Sequence, residues 1–171
     1  MQKKLILPEA LKQINSLVLK PLKLVLTNIE AETESKNYAA HRFKIGNKNI
    51  IFRVANKTPT KTGQFVTTWK RNQHGITIPF NVTDNIDFFI IALQQHENFG
   101  IFILPQLALL QNKILASKIV TGKRGIRLYA SWDITTNKQA QKTQLWQAAF
   151  FINLYDNMQV NLLKVQHILG V

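Results

Sequence analysis

The residues of this sequence best suited to chemistry are cations set among glycines and aromatic rings. Gly122 and Gly125 bracket Lys123 and Arg124, a spacing that suits a tight turn bringing backbone N–H groups and two positive side chains against a phosphate. An ordinary hairpin with solvated charges is an equal reading of the same residues. Arginine rather than lysine at Arg53, Arg71, Arg124 and Arg127 suits planar, bidentate phosphate contact. Trp69 precedes Lys70 and Arg71, while Tyr129 and Trp132 follow Arg127, so rings alternate with charges as they do where unpaired bases stack. Core packing is the plainer use of each ring. Gln139, Thr143 and Gln144 offer polar contacts to sugar, phosphate or base edges.

Carboxylates are scarce where these cations lie. The 171 residues carry 22 Lys+Arg against 9 Asp+Glu, a net charge of +13. No acid falls between residues 35 and 83, a window holding nine cations, and none falls between 98 and 132, which holds five more. Charge segregated in this way favours a polyanionic partner, because each phosphate neutralised releases condensed counterions. A solvated face of solubility charge would normally mix both signs.

Other chemistry finds little footing. With no cysteine the chain has no disulfide, thiolate zinc site, iron–sulfur cluster or Cys nucleophile. His41, His74, His96 and His167 are scattered without zinc-helix spacing. Neither a P-loop nor a dinucleotide-binding glycine motif occurs, and a Gly-x-Ser-x-Gly elbow is missing. We therefore expect no small-molecule cofactor, no metal and no catalytic residue. The apolar run Leu5 to Leu7 stops at Pro8 and Glu9, short of a secretory core, and the run Phe88 to Leu93 is far below the about 20 residues of a membrane span. The expected location is the cytoplasm, with no membrane partner.

The elements that must position these residues follow from periodicity. The length suits one domain, residues 1–171, with a single core. Residues 8 to about 20 predict a helix, with Leu11, Ile14, Leu17 and Val18 at helical spacing. Residues 28 to 37 read as a polar connection. Alternation then predicts strands around Phe43 and Ile45, Ile50 to Val54, and Phe65 to Trp69, with a basic loop from Asn56 to Gly63 between the last two. The apolar runs Phe88 to Leu93 and Ile101 to Leu104 suit central strands, and Gly125 to Trp132 alternates again. Leu145, Ala148, Ala149 and Ile152 predict a core-facing helix over about 136 to 155, capped by Thr135 or Thr136, and residues 157 to 171 a docked tail. The expected fold is α/β (α+β), a mixed central sheet of five or six strands flanked by helices. On such strands Arg42, Lys44, Arg53 and Lys70 fall on the opposite pleat or at strand ends, where they would line one sheet face.

Three segments carry a resemblance. Thr58 to Arg71, Thr121 to Tyr129 and Lys138 to Trp146, together with Phe52-Arg53-Val54-Ala55 and the Asp133 after Trp132, closely resemble the MepB-like family of small bacterial proteins, over about residues 34 to 152. The resemblance implies a restriction-endonuclease-like fold and a capacity to bind nucleic acid. It also implies where a nuclease would keep its metal: an Asp on one strand and Glu/Asp-x-Lys on the next. The matching triplet here looks like Thr68-Trp69-Lys70, whose first residue lacks a carboxylate.

The expected function is a non-catalytic nucleic-acid-binding protein holding DNA or RNA through phosphates. The expected contacts are Arg53, Lys57, Lys61, Lys70, Arg71, Lys123, Arg124, Arg127, Lys138 and Lys142, with Trp69 or Trp132 stacking. Two alternatives stand beside it: a metal-dependent nuclease using displaced carboxylates such as Glu34, Asp84 and Asp87, and an interaction module for an acidic protein.

Overall fold

The computed structural model describes residues 6–171. The chain opens with α1 (Glu9–Ile14), continued by a π-helical turn over Asn15–Leu19. Pro8 precedes the first turn without needing an N–H, Glu9 faces the positive helix end, and Leu11, Ile14 and Val18 are buried, as their spacing predicts, while Leu17 is only partly covered and Leu19 is buried in its stead. Then follow β1 (Leu26–Ala31), β2 (His41–Ile45), β3 (Lys48–Val54), β4 (Asn56–Thr58), β5 (Lys61–Thr67), β6 (Trp69–Arg71) and β7 (Thr77–Pro79). The second half runs β8 (Phe88–Gln95), β9 (Asn98–Pro105), α2 (Gln106–Gln111), β10 (Gly125–Leu128), α3 (Lys138–Gln147), β11 (Phe151–Asn153) and α4 (Met158–Leu169).

The fold is mixed α+β. Six strands form the main sheet in the order β1-β2-β3-β8-β9-β11; every neighbouring pair is antiparallel except β3 and β8, which run parallel. Parallel strands need a long crossover. Here it spans residues 55 to 87 and builds β4 to β7, which form parts of two small antiparallel sheets, β10-β5-β4 and β6-β7. Phe88–Leu93 and Phe99–Leu104 are buried throughout because each face of the sheet carries its own apolar layer. On one side α1 and α4 pack against Phe43, Phe52, Ile90 and Ile101; on the other Phe80, Leu109, Val66 and Leu128 pack against Ile51, Phe89 and Phe102.

Three sequence expectations are corrected. Residues 28–31, expected within a polar connection, belong instead to the sheet-edge strand β1. Its register slips between Thr27 and Glu30, with Asn28 left-handed at φ 51, and this bulge erases the two-residue alternation that would reveal a strand. The basic loop is largely a hairpin, β4 and β5, turning at Pro59 and Thr60. The late helix starts after Asn137, whose side chain accepts the Ala140 N–H at 2.8 Å, and ends at Gln147. Residues 151–153 instead pair with β9, and Leu145, Ala148 and Ala149 face solvent. Tertiary pairing overrides the helical spacing there. Among the described residues no helix is long and apolar enough to cross a membrane.

Gly100 makes the β9–β11 contact close. A Cβ at this position would lie 2.6 Å from the Phe151 ring and 2.9 Å from the Ile152 carbonyl oxygen. Gly100→Ala is expected to cost roughly 1–3 kcal/mol, lowering Tm by about 3–10 °C, as read by thermal melting and chemical denaturation.

Candidate nucleic-acid interface

The candidate surface is built where β10 lies between β5 and α3. Arg127, on β10 opposite Phe65 of β5, turns its guanidinium back onto the hairpin, donating to the carbonyls of Thr62 (3.3 Å) and Gly63 (3.1 Å) and to Thr58 Oγ1 (3.0 Å). Gly63 is required beneath it: φ is +75°, and a Cβ would sit 2.5 Å from the Leu128 carbonyl oxygen. On the other edge of β10, Gln147 reaches in from α3. Its Oε1 accepts the Tyr129 N–H at 2.8 Å and its Nε2 donates to the Arg127 carbonyl at 3.0 Å, so one buried amide takes the place of a neighbouring strand. Gln144 donates to the Ala130 and Asp133 carbonyls, at 2.8 and 2.9 Å. This polar helix therefore docks by hydrogen bonds rather than by an apolar stripe, and Gln144 serves the fold rather than lying free for a ligand.

That docking leaves a chain of concavities. One of about 520 Å³ is lined by Lys113, Lys123, Arg127, Lys142, Tyr129 and Trp146 among others, with no carboxylate. Arg127, Tyr129 and Gln139 also line the next, about 490 Å³, which adds Lys61. Lys61 and its threonine neighbours lead on to a third, about 550 Å³, bounded by Lys57, Trp132 and Asp133. Burial pushes the Asp133 carboxyl up, opposed by the Ala130 N–H it accepts and by nearby Lys57. Five of the expected contacts, Lys57, Lys61, Lys123, Arg127 and Lys142, thus border one run of surface, and Thr143 lies on it too. Arg124 and Lys138 are exposed but line none of the three. Lys113 and Trp146, absent from the expected contacts, join the run; both stand in or near sequence segments already singled out, but only the fold brings them together.

The glycine turn differs from its expected use. Gly122 is left-handed at φ +78°, and a Cβ would stand 2.7 Å from the Ala116 amide nitrogen. The Lys123 N–H is spent on the Ile114 carbonyl at 2.9 Å, and the Lys123 and Arg124 carbonyls accept Thr68 Oγ1 (2.7 Å) and Thr68 N–H (3.0 Å). The turn presents cationic side chains while its backbone ties strands together. Thr68 is fully buried in this role, at the position where the nuclease triplet would hold an acid.

The remaining expected contacts fall elsewhere and are not unpaired. Arg53 points into the interior, 1% exposed, and ion-pairs with Glu32, which also binds Arg42. Burial pulls the Arg53 guanidinium down from its ordinary range, while Glu32 favours its charge. Both guanidiniums lie over the Phe80 ring, at 5.5 and 5.9 Å. Lys70 pairs with Asp84, and Arg71 with Glu34 at 3.2 Å while lying over Trp69 at 5.4 Å. The acid-free window hides these pairs because the segment just after β1, with Glu32 and Glu34, and the turn at residues 82–84, with Asp84, return carboxylates from outside it. Arg42, Lys44 and Arg53 do share one face of the sheet, and Arg42, Arg53 and Lys70 border one concavity, but Glu32 and Asp84 pair with those three, so it is not an open cationic face. Trp132 packs edge-on against Phe151 and donates its indole N–H to Gln95 at 3.1 Å, the core role weighed against stacking. Asp87 accepts the Asn49 N–H at 2.7 Å, apart from Glu34 and Asp84. Among the described residues no three His, Cys, Asp or Glu side chains gather closely enough to hold a metal.

The pattern of the MepB-like family matches residues 32–153. The chain belongs to that family. Among solved structures, the crystal structure of MepB is similar, with a TM-score of 0.75 and 30% identity, over 77% of this chain and 89% of that one. The structure of a bacterial homing endonuclease aligns over 82% of this chain and 87% of that one, with a TM-score of 0.43 and 10% identity. No curated protein matches the chain.

The Arg53–Glu32 pair tests the charge partition directly. Glu32→Ala is expected to leave a buried guanidinium uncompensated and to destabilise the fold by roughly 3–5 kcal/mol in equilibrium urea unfolding, far more than loss of an exposed pair such as Lys12–Glu9.

Proposed function

We propose that this chain binds DNA or RNA through phosphates and catalyses no reaction on them. The observation that carries the reading is the run of concavities bordered by Lys57, Lys61, Lys113, Lys123, Arg127 and Lys142, where Asp133, at one end, is the one carboxylate. A surface of that sign attracts a phosphate backbone and releases its counterions. Tyr129 and Trp146 add ring faces beside the cations, as a nucleobase contact requires. Absence of catalysis is supported by the fate of the nuclease-like triplet: Thr68 is consumed by the glycine turn and Lys70 is neutralised by Asp84. The proposal sets this role in the cytoplasm, as the sequence reading expects.

Affinity is expected to fall linearly in log K against log salt, with a slope of about −0.9 per phosphate contacted on duplex and about −0.7 on single strands. Lys123→Glu and Lys142→Glu should each weaken binding and flatten that slope by at least about one unit. Lys20→Glu, just beyond the helix on the other face of the sheet, should do neither. Fluorescence anisotropy with labelled DNA and RNA across a salt series reads all three; salt-independent binding refutes the proposal.

A further inference from the structure

One other concavity gathers charge of both signs, about 470 Å³, lined by Glu30, Glu32 and Glu34 against Arg42, Arg53, Lys70 and Arg71, with Trp69 among the rest. Its cations are held in different ways. Arg53 is locked to Glu32 in the interior, where separating the charges is costly. Lys70 meets Asp84, itself fixed by the Asn81 N–H at 2.8 Å. Arg71 is positioned by neutral groups instead: its guanidinium lies over Trp69 at 5.4 Å and NH1 donates to the Gly75 carbonyl at 2.9 Å. Its only acid, Glu34, accepts from Nε at 3.2 Å, and the two side chains are 48% and 34% exposed.

Exposed pairs of this kind contribute little and yield to a stronger oxyanion. The segment after Glu34 is left-handed at two residues that are not glycine, Ser35 (φ 54) and Ala39 (φ 47). The segment is held by contacts such as the Thr67 hydroxyl donating to Ser35 Oγ at 2.7 Å. A guanidinium preorganised on an indole suits the doubly charged oxygens of a phosphate better than one exposed carboxylate.

We propose that Glu34 stands in for a phosphate group, and that Arg71 on Trp69 is a second phosphate-binding site of this chain, separate from the basic concavities. The source of the phosphate is either a free phosphate compound or the backbone of a nucleic acid, and two probes distinguish them. The Arg71 Nε–H and Trp69 indole resonances are followed by NMR in the full-length protein during titration with pyrophosphate and, separately, with a short oligonucleotide. Saturable shifts with pyrophosphate assign free phosphate compounds; shifts with the oligonucleotide alone assign backbone phosphate.

Glu34→Gln removes the competing carboxylate and is expected to tighten the binding that shifts these resonances about two- to fivefold, the range set by an exposed ion pair. Arg71→Ala, with an unchanged melting curve, should abolish the Trp69 response. Lys123→Glu with Lys142→Glu should leave the pyrophosphate response intact even where nucleic-acid affinity falls, so the two readings fail separately. Absence of shifts with both probes, an unaltered affinity in Glu34→Gln, or a Trp69 response surviving Arg71→Ala overturns the proposal.

Discussion

The parallel pairing of β3 with β8 is the constraint from which the rest of the molecule follows. Two parallel neighbours cannot be joined by a tight turn, and here more than thirty residues leave the sheet before the chain returns beside β3 at its centre. That excursion supplies β5, on which β10 pairs, and β6, which carries Trp69, Lys70 and Arg71. Thr68 lies at the joint between the two. Its buried hydroxyl and N–H seize the carbonyls of Lys123 and Arg124, so the early crossover and the late glycine turn are fastened into one surface.

Charge is then divided by burial. Carboxylates near the sheet edge and crossover are drawn to cations that the interior cannot leave bare: Arg53 at the centre of the sheet, and its neighbour Arg42 through the same Glu32. Desolvation makes an unpaired guanidinium costly, so Glu32 is committed there. The cations around β10 and α3 lie near water, where a lone charge is tolerated. A strongly basic chain with few acids thus keeps a neutralised interior and a run of positive surface that Asp133 alone opposes, at one end.

Much of the architecture was legible in the chain itself. The apolar runs at 88–93 and 101–104 had to be covered on both faces, and the alternation around residues 43–54 read directly as β2 and β3. The strand β1 was not legible, because a bulge at Asn28 breaks its alternation. β11 was hidden inside a helical spacing, and its pairing depends on Gly100 of β9 making room for Phe151. Of the surface, the cationic segments were visible, but Gln147 gave no sign that its amide would complete the edge of β10.

Composition and local pattern by themselves determined a basic, cysteine-free, sheet-centred protein with its cations grouped along the chain, because side-chain charge and hydrophobic period are properties of neighbouring residues. Which of those cations remain free was decided only by the tertiary structure. Ion pairing depends on distance in space, and Glu32, Glu34 and Asp84 come from segments outside the windows that hold Arg53, Arg71 and Lys70. Chain folding carried them together, and in doing so separated an internally balanced cluster from the open cationic surface.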